Sequence, residues 1–171
     1  MIALIRRLLD IQALRSENQQ LRAALAIAYQ STNFGCFNRC GGESHGTTLL
    51  SLERRRCASG DLVMICADIA GMGILNQRLG ETVVNSKVRS CLRTLASMRG
   101  VEFTAQLNSG DEFVFIVDHA DSNGIVQRMR GLFIAAGFSG LYTDVGIIDP
   151  SVSYAENANR LMQKVYLSKS V

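Results

Sequence analysis

The sequence predicts an α/β fold, an α+β sandwich in which a mixed sheet is flanked by helices and preceded by an N-terminal coiled-coil helix. Three observations carry that prediction. Segments of helical period alternate with short apolar runs of strand length. Two of the runs, over 101–107 and 112–119, are separated only by a tight polar turn, which marks a hairpin. The first 30 residues hold a heptad without glycine or proline, whereas the remainder is glycine-rich.

The 171 residues, 47% hydrophobic and 19% charged with a single proline, suffice for one domain with a real core. A net charge of +3 with no basic stripe argues against nucleic acid as a partner. The cysteines are Cys36, Cys40, Cys57, Cys66 and Cys91, an odd set, and Cys66 lies in the apolar run LVMICADI as a buried thiol would. With only two histidines and no second cysteine pair at ligand spacing, a zinc site is not supported, and a reducing compartment is expected. Arg6, Arg7 and Asp10 interrupt the apolar start MIALIRRLL, so no membrane span and a cytoplasmic location are expected.

The elements follow in order. Residues 1–30 place Leu4, Ile11, Asn18 and Leu25 at heptad position a, with Leu14, Leu21 and Ala28 at d; Arg7 alone breaks the d series. Asp10 and Glu17 at g then face Arg15 and Arg22 at e of a parallel partner, and Asn18 is the kind of polar a residue that sets a two-stranded register. A homodimer through this helix is the expectation; an amphipathic helix docked on its own domain is the alternative. The domain proper spans 31–171. STNFGCFNRCGGESHG reads as a loop and TTLLSLERRRCA as a helix with a solvated basic face. DLVMICADIA is a buried strand. Residues 71–98 are helical, with Gly80 dividing a short helix from a long one. VEFTAQL and EFVFIVDH form the hairpin, ADSNG is a turn, and the next helix stops at Gly137. LYTDVGII is a last strand and SYAENANRLMQKVYLSKS a last helix.

Acids gather at two strand ends: Asp68 closes MICADIAG, and Asp111 with Glu112 occupies the hairpin turn. If these strands are neighbours, three carboxylates meet at one sheet edge, an oxygen-only donor set suited to Mg²⁺. The loop AGMG after Asp68 offers backbone N–H groups at a helix start, where an anion is favoured. Metal acids beside a phosphate loop are what phosphoryl or nucleotidyl transfer requires. A helix N-cap at Asp68 and a turn residue at Asp111 are the plainer alternatives.

SGDEFVFIV resembles the signature hairpin of GGDEF-domain diguanylate cyclases, with Ser109 in place of the first glycine. DIAGMGILNQRLG resembles the family's metal-strand segment, matching at Asp68, Asn76 and Gly80. GCFNR resembles its Gly-x-x-Asn-Arg element at Gly35, Asn38 and Arg39, and YTDVGII its late glycine-bearing strand. The resemblance covers roughly residues 32–165. It implies condensation of two GTP into cyclic di-GMP at a dimer interface with two divalent ions, Mg²⁺ or Mn²⁺. It further implies Asp68, Asp111, Glu112 and the Ile69 carbonyl as metal ligands, with the three acids catalytic. Asn76 and Asn85 become guanine contacts, Gly110 a point of close backbone approach, and Ala70, Gly71, Met72 and Gly73 a triphosphate cradle.

The chain departs from the family pattern at several of these positions. Ala70 replaces a second aspartate, Gly73 a lysine, Gln77 an aspartate and Leu107 an arginine. Tyr166 stands where the final helix carries a phosphate-contacting lysine, with Lys164, taken as the substitute contact, and Lys169 nearby. Asn85 replaces an aspartate that reads the guanine edge, and an amide accepts at one atom while donating at the other. The Arg-x-x-Asp product-inhibition positions hold Gly100 and Phe103, so no feedback site is expected. The alternative to an active cyclase is a degenerate domain that binds a nucleotide or a partner as a regulatory module.

Overall fold

The computed structural model describes residues 11–169 apart from 13, 16, 22, 23, 26, 32 and 109. The described residues between 11 and 28 are helical. There follow α1 (Arg39–Leu52), α2 (Arg54–Ser59), β1 (Leu62–Ala70), α3 (Met72–Leu79), α4 (Glu81–Ala96), β2 (Val101–Gln106) and β3 (Glu112–Asp118). A 3₁₀ turn (His119–Asp121), α5 (Ser122–Ala135), β4 (Gly140–Ile147) and α6 (Tyr154–Ser168) complete the domain.

The strands order as β2-β3-β1-β4, and every neighbouring pair is antiparallel. The sheet is therefore not mixed as expected, although it is flanked by helices as expected. The reason lies in the crossovers. The helical links β1-α3-α4-β2 and β3-α5-β4 each join strands of like direction, but each skips one position, and the strand received in the gap runs the other way. Among the described residues the single parallel contact is an isolated bridge between Phe37 and Ala105.

β1 is central and buried on both faces, which is why its sequence is a continuous apolar run. Val63, Ile65, Ala67 and Ile69 face α4 and α5, where Val84, Val88, Leu92 and Leu95 supply a helical stripe. Met64 and Cys66 face α6, packing with Tyr154, Ala158, Leu161, Met162 and Val165. All five cysteines are free, as an odd set with a buried Cys66 suggests. Ser153 caps α6 by accepting from the Glu156 backbone N–H at 3.1 Å.

The segment expected to be loop before residue 47 contains most of α1. Its glycines lower helix propensity, but they face a surface with no room for side chains. A Cβ at Gly46 would lie 2.5 Å from the Tyr154 ring. Asn38 starts the helix by accepting from the Gly41 N–H at 2.9 Å, and its Nδ2 donates to the Ala28 carbonyl at 2.5 Å. One side chain thus ties the end of the N-terminal helix to the domain.

The described heptad residues Ile11, Leu14, Asn18, Leu21, Leu25 and Ala28 are exposed rather than packed on the domain. Leu4, Arg7, Asp10 and Arg22 lie outside the described residues. Among the described residues no helix is long and apolar enough to cross a membrane.

The two kinds of helical glycine make a paired prediction for thermal unfolding. Gly131 on α5 has open space around it, so Gly131→Ala is expected to stabilise by about 0.5–1 kcal/mol. Gly46→Ala gains the same propensity but must displace a buried aromatic ring, and a lower Tm is the expected result.

Candidate functional site

The register brings the predicted acids together. Asp68 on β1 is paired across the sheet with Glu112 on β3, and the Ile69 N–H donates to the Asp111 carbonyl at 3.1 Å. Asp68 is buried, whereas Asp111 and Glu112 are half-buried at the rim. Burial, and next the charge of Asp68, raise the Asp111 carboxyl above its ordinary range.

Each of the other two carboxylates has partners. Lys169 at the end of α6 places Nζ 2.5 Å from Asp68 Oδ2. The Tyr166 hydroxyl donates to Glu112 Oε1, and Asn108 Nδ2 donates to Glu112 Oε2 at 2.5 Å. The bond to Glu112 pushes the Tyr166 phenol up to about 12. Lys164 is not with the acids. It is exposed and lines a separate groove with Met64, Gly146, Asp149 and Arg160, and the lysine that reaches the acids is Lys169.

In kind, the donors suit a hard divalent ion, since the carboxylates and the Ile69 carbonyl are all oxygen. Ile69 would contribute backbone only, since its side chain is buried in the core. Among the described residues no three acid, histidine or cysteine side chains are yet positioned to share an ion.

Beside the acids a cavity of about 770 Å³ opens between the start of α1, α3, α4 and the β2–β3 turn. Asn76, Asn85, Met72 and Gly110 line it, so the predicted base contacts and one residue of the predicted phosphate loop share a single space. Asn76 Oδ1 is buried and has no hydrogen-bond partner. Asn85 Nδ2 donates to Glu81 Oε1 at 3.4 Å, and Glu81 lines the same cavity. Gly110 (φ +100°) leaves open space where a Cβ would stand, as close backbone approach requires. Gly71 (φ +76°) is packed so tightly on Ser139 that a side chain would collide with it, while Gly73 faces open space. The Ala70 carbonyl is occupied, accepting from the Ser139 N–H at 3.2 Å.

Sequence reasoning missed Lys169, Asn108 and Glu81 as contributors. The spacing of Tyr166 and Lys169, three apart on one helix, was the available signal. The departures have structural roles: Leu107 is buried in the core on the α6 side. Phe103 is buried against Phe37 and Tyr154, and Gly100 (φ +81°) has Asp121 where a side chain would go. Ser109 lies outside the described residues.

No family model and no curated protein matches the sequence. Solved structures do. A microbial GGDEF domain studied with cyclic di-GMP superposes with a TM-score of 0.70 at 15% identity, covering 83% of this chain and 93% of that one. The coiled coil and GGDEF domain of DgcB from Caulobacter crescentus, in complex with c-di-GMP, gives 0.67 at 16% identity, covering 98% and 94%. The diguanylate cyclase SiaD from Pseudomonas aeruginosa, in complex with its activator SiaC, gives 0.62 at 18% identity, covering 97% and 69%. The chain therefore has the GGDEF-domain fold.

Asp111 supplies a stability test. A carboxyl whose folded value is raised stabilises the fold only while protonated, and that contribution is lost as pH rises from the unfolded value through the folded one. Asp111→Asn is therefore expected to have a higher Tm than the native chain at neutral pH. The two melting temperatures should converge as pH falls below the ordinary carboxylate range.

Proposed function

We propose that this chain is a diguanylate cyclase, condensing two GTP into cyclic di-GMP where two copies meet, with Mg²⁺ or Mn²⁺ at its acids. The single observation that carries the reading is the continuity of one nucleotide-sized cavity from the amides of Asn76 and Asn85 to the acidic turn at Gly110. The GGDEF fold and the c-di-GMP complexes of two of the similar structures support it.

The roles follow from the chemistry. An unpartnered buried acceptor costs about 1–3 kcal/mol, and a guanine N–H donated to Asn76 Oδ1 would recover it. Asn85 offers the base one acceptor and one donor, with the Glu81 carboxylate adjacent. Open space at Gly73 and Gly110 lets the triphosphate approach the backbone. Asp68, Asp111, Glu112 and the Ile69 carbonyl would hold the divalent cation, which neutralises phosphate charge and favours loss of the 3′-hydroxyl proton. The attacking 3′-oxygen comes from the GTP of a second copy, so a lone protomer provides half a site. The heptad residues that are exposed between 11 and 28 would supply the pairing, with residues 1–30 as the dimerising segment and 31–171 as the catalytic one.

A second reading has its own observation in favour. Tyr166, where a cationic phosphate contact is expected, instead donates to Glu112, and Lys164 points to another groove. That arrangement suits a nucleotide-binding regulatory module that no longer turns over.

Purified protein incubated with GTP and Mg²⁺ separates the two. The cyclase reading expects a cyclic dinucleotide, and Asp111→Ala should reduce its formation by about 10²-fold or more. GTP binding without product at any protein concentration leaves the module. Restoring the carboxylate in Asn85→Asp should raise GTP preference over ATP by about tenfold. Deleting residues 1–28 should shift the chain to monomer by sedimentation and abolish product; an active monomer would remove the helix from the mechanism.

A further inference from the structure

The cavity beside the acids is also lined by a carboxylate that does not belong to the acid cluster. Glu81 is the first residue of α4 and lies on the cavity with Asn76 and Asn85. An acid at a helix start is favoured by the helix dipole, so its place in the chain alone implies no ligand. Its contact does. Asn85, one helical turn away, donates from Nδ2 to Glu81 Oε1 at 3.4 Å. One amide hydrogen leaves a carboxylate with further acceptor capacity. The same bond fixes what Asn85 can offer. Turned the other way, the amide would set Oδ1 against the carboxylate, two acceptors with no hydrogen between them. Glu81 therefore keeps Nδ2 towards itself and Oδ1 away. Asn76 adds a third acceptor on this cavity, its buried and unpartnered Oδ1.

We propose that Glu81 is a specificity-determining residue of this cavity: it accepts from the base and, by fixing the Asn85 amide, selects guanine over adenine. The inference rests on the nucleotide-binding reading above, but it needs no turnover. Guanine presents two adjacent donors on its pairing edge, the ring N1–H and the exocyclic amine. Adenine has a bare N1 at the corresponding place, an acceptor that a carboxylate repels. A free amide accepts at one atom and donates at the other, so it can turn to suit either base. Tied to Glu81, Asn85 cannot turn, and the pair meets the base with acceptors. An adenine in this cavity leaves those acceptors facing another acceptor, the kind of unpaired polar contact on which strong discrimination depends.

Nucleotide binding to the full chain is the test, read by titration calorimetry with Mg²⁺ present. The probes are the α,β-methylene analogues of GTP and ATP, which keep the base and cannot condense. The native chain is expected to bind the guanosine analogue more tightly, by about tenfold or more. Glu81→Gln keeps the shape and removes the charge, and should reduce that preference about tenfold, chiefly by weakening the guanosine analogue. Glu81 is exposed, so the variant should fold as the native chain does. Adding Asn85→Asp to Glu81→Gln returns a carboxylate one turn along the same helix face and should restore the preference. A role confined to the helix dipole would not be repaired there, nor would it distinguish the two bases. Native preference in Glu81→Gln overturns the proposal, as does a double variant that restores nothing. Equal binding of both analogues by the native chain also overturns it, while the nucleotide-binding reading stands. Binding of neither analogue removes both. A guanosine preference that depends on Glu81, in a chain that makes no cyclic dinucleotide from GTP, upholds the proposal and gives up turnover alone.

Discussion

The structure depends on a buried charge, the carboxylate of Asp68 at the end of the central strand. Strand β1 is apolar along its length because both of its faces are covered, and Asp68 is its one carboxylate. A carboxylate in that position is unstable unless something positive meets it. Lys169 does so from the far end of the chain, which fixes where α6 must finish. Tyr166 and Tyr142 are then drawn around the same ammonium, and Glu112 is held through Tyr166. The acid cluster is thus an arrangement shared among β1, the β2–β3 turn, β4 and α6.

The interlocked crossovers make that sharing possible. Since β3 is received between β2 and β1, the hairpin turn reaches the same edge at which β1 ends. Acids more than forty residues apart become cross-strand neighbours. The cavity is a product of the same topology. The α3–α4 segment leaves β1 directly after the acids, and α1 returns over the hairpin, so the space between them opens beside the carboxylates. Asn76, Asn85 and the hairpin turn at Gly110 therefore line one space.

Glycine is used in two opposite ways. In α1 it allows a helix to lie against Tyr154 and Ala105 where no side chain fits, and the local preference for coil is overridden by that packing. At Gly110 and Gly73 it keeps backbone bare, with open space where a Cβ would stand. The same residue type closes one surface and exposes another, and composition alone does not tell them apart.

Periodicity in the sequence determined most of the elements: the long strand before Asp68, the division at Gly80, the hairpin, and the final amphipathic helix. These are local properties, written in the alternation of apolar and polar residues over a few turns. The acids and the amides of Asn76 and Asn85 were legible too, because their motifs lie within short contiguous stretches. Only the tertiary structure decided that the sheet is antiparallel, that α1 begins at its glycines, and that Lys169 rather than Lys164 faces the acids. Each of those depends on which surfaces meet across long sequence separations. The identity of the cation beside Asp68 is of that kind: it is set by where α6 ends against β1.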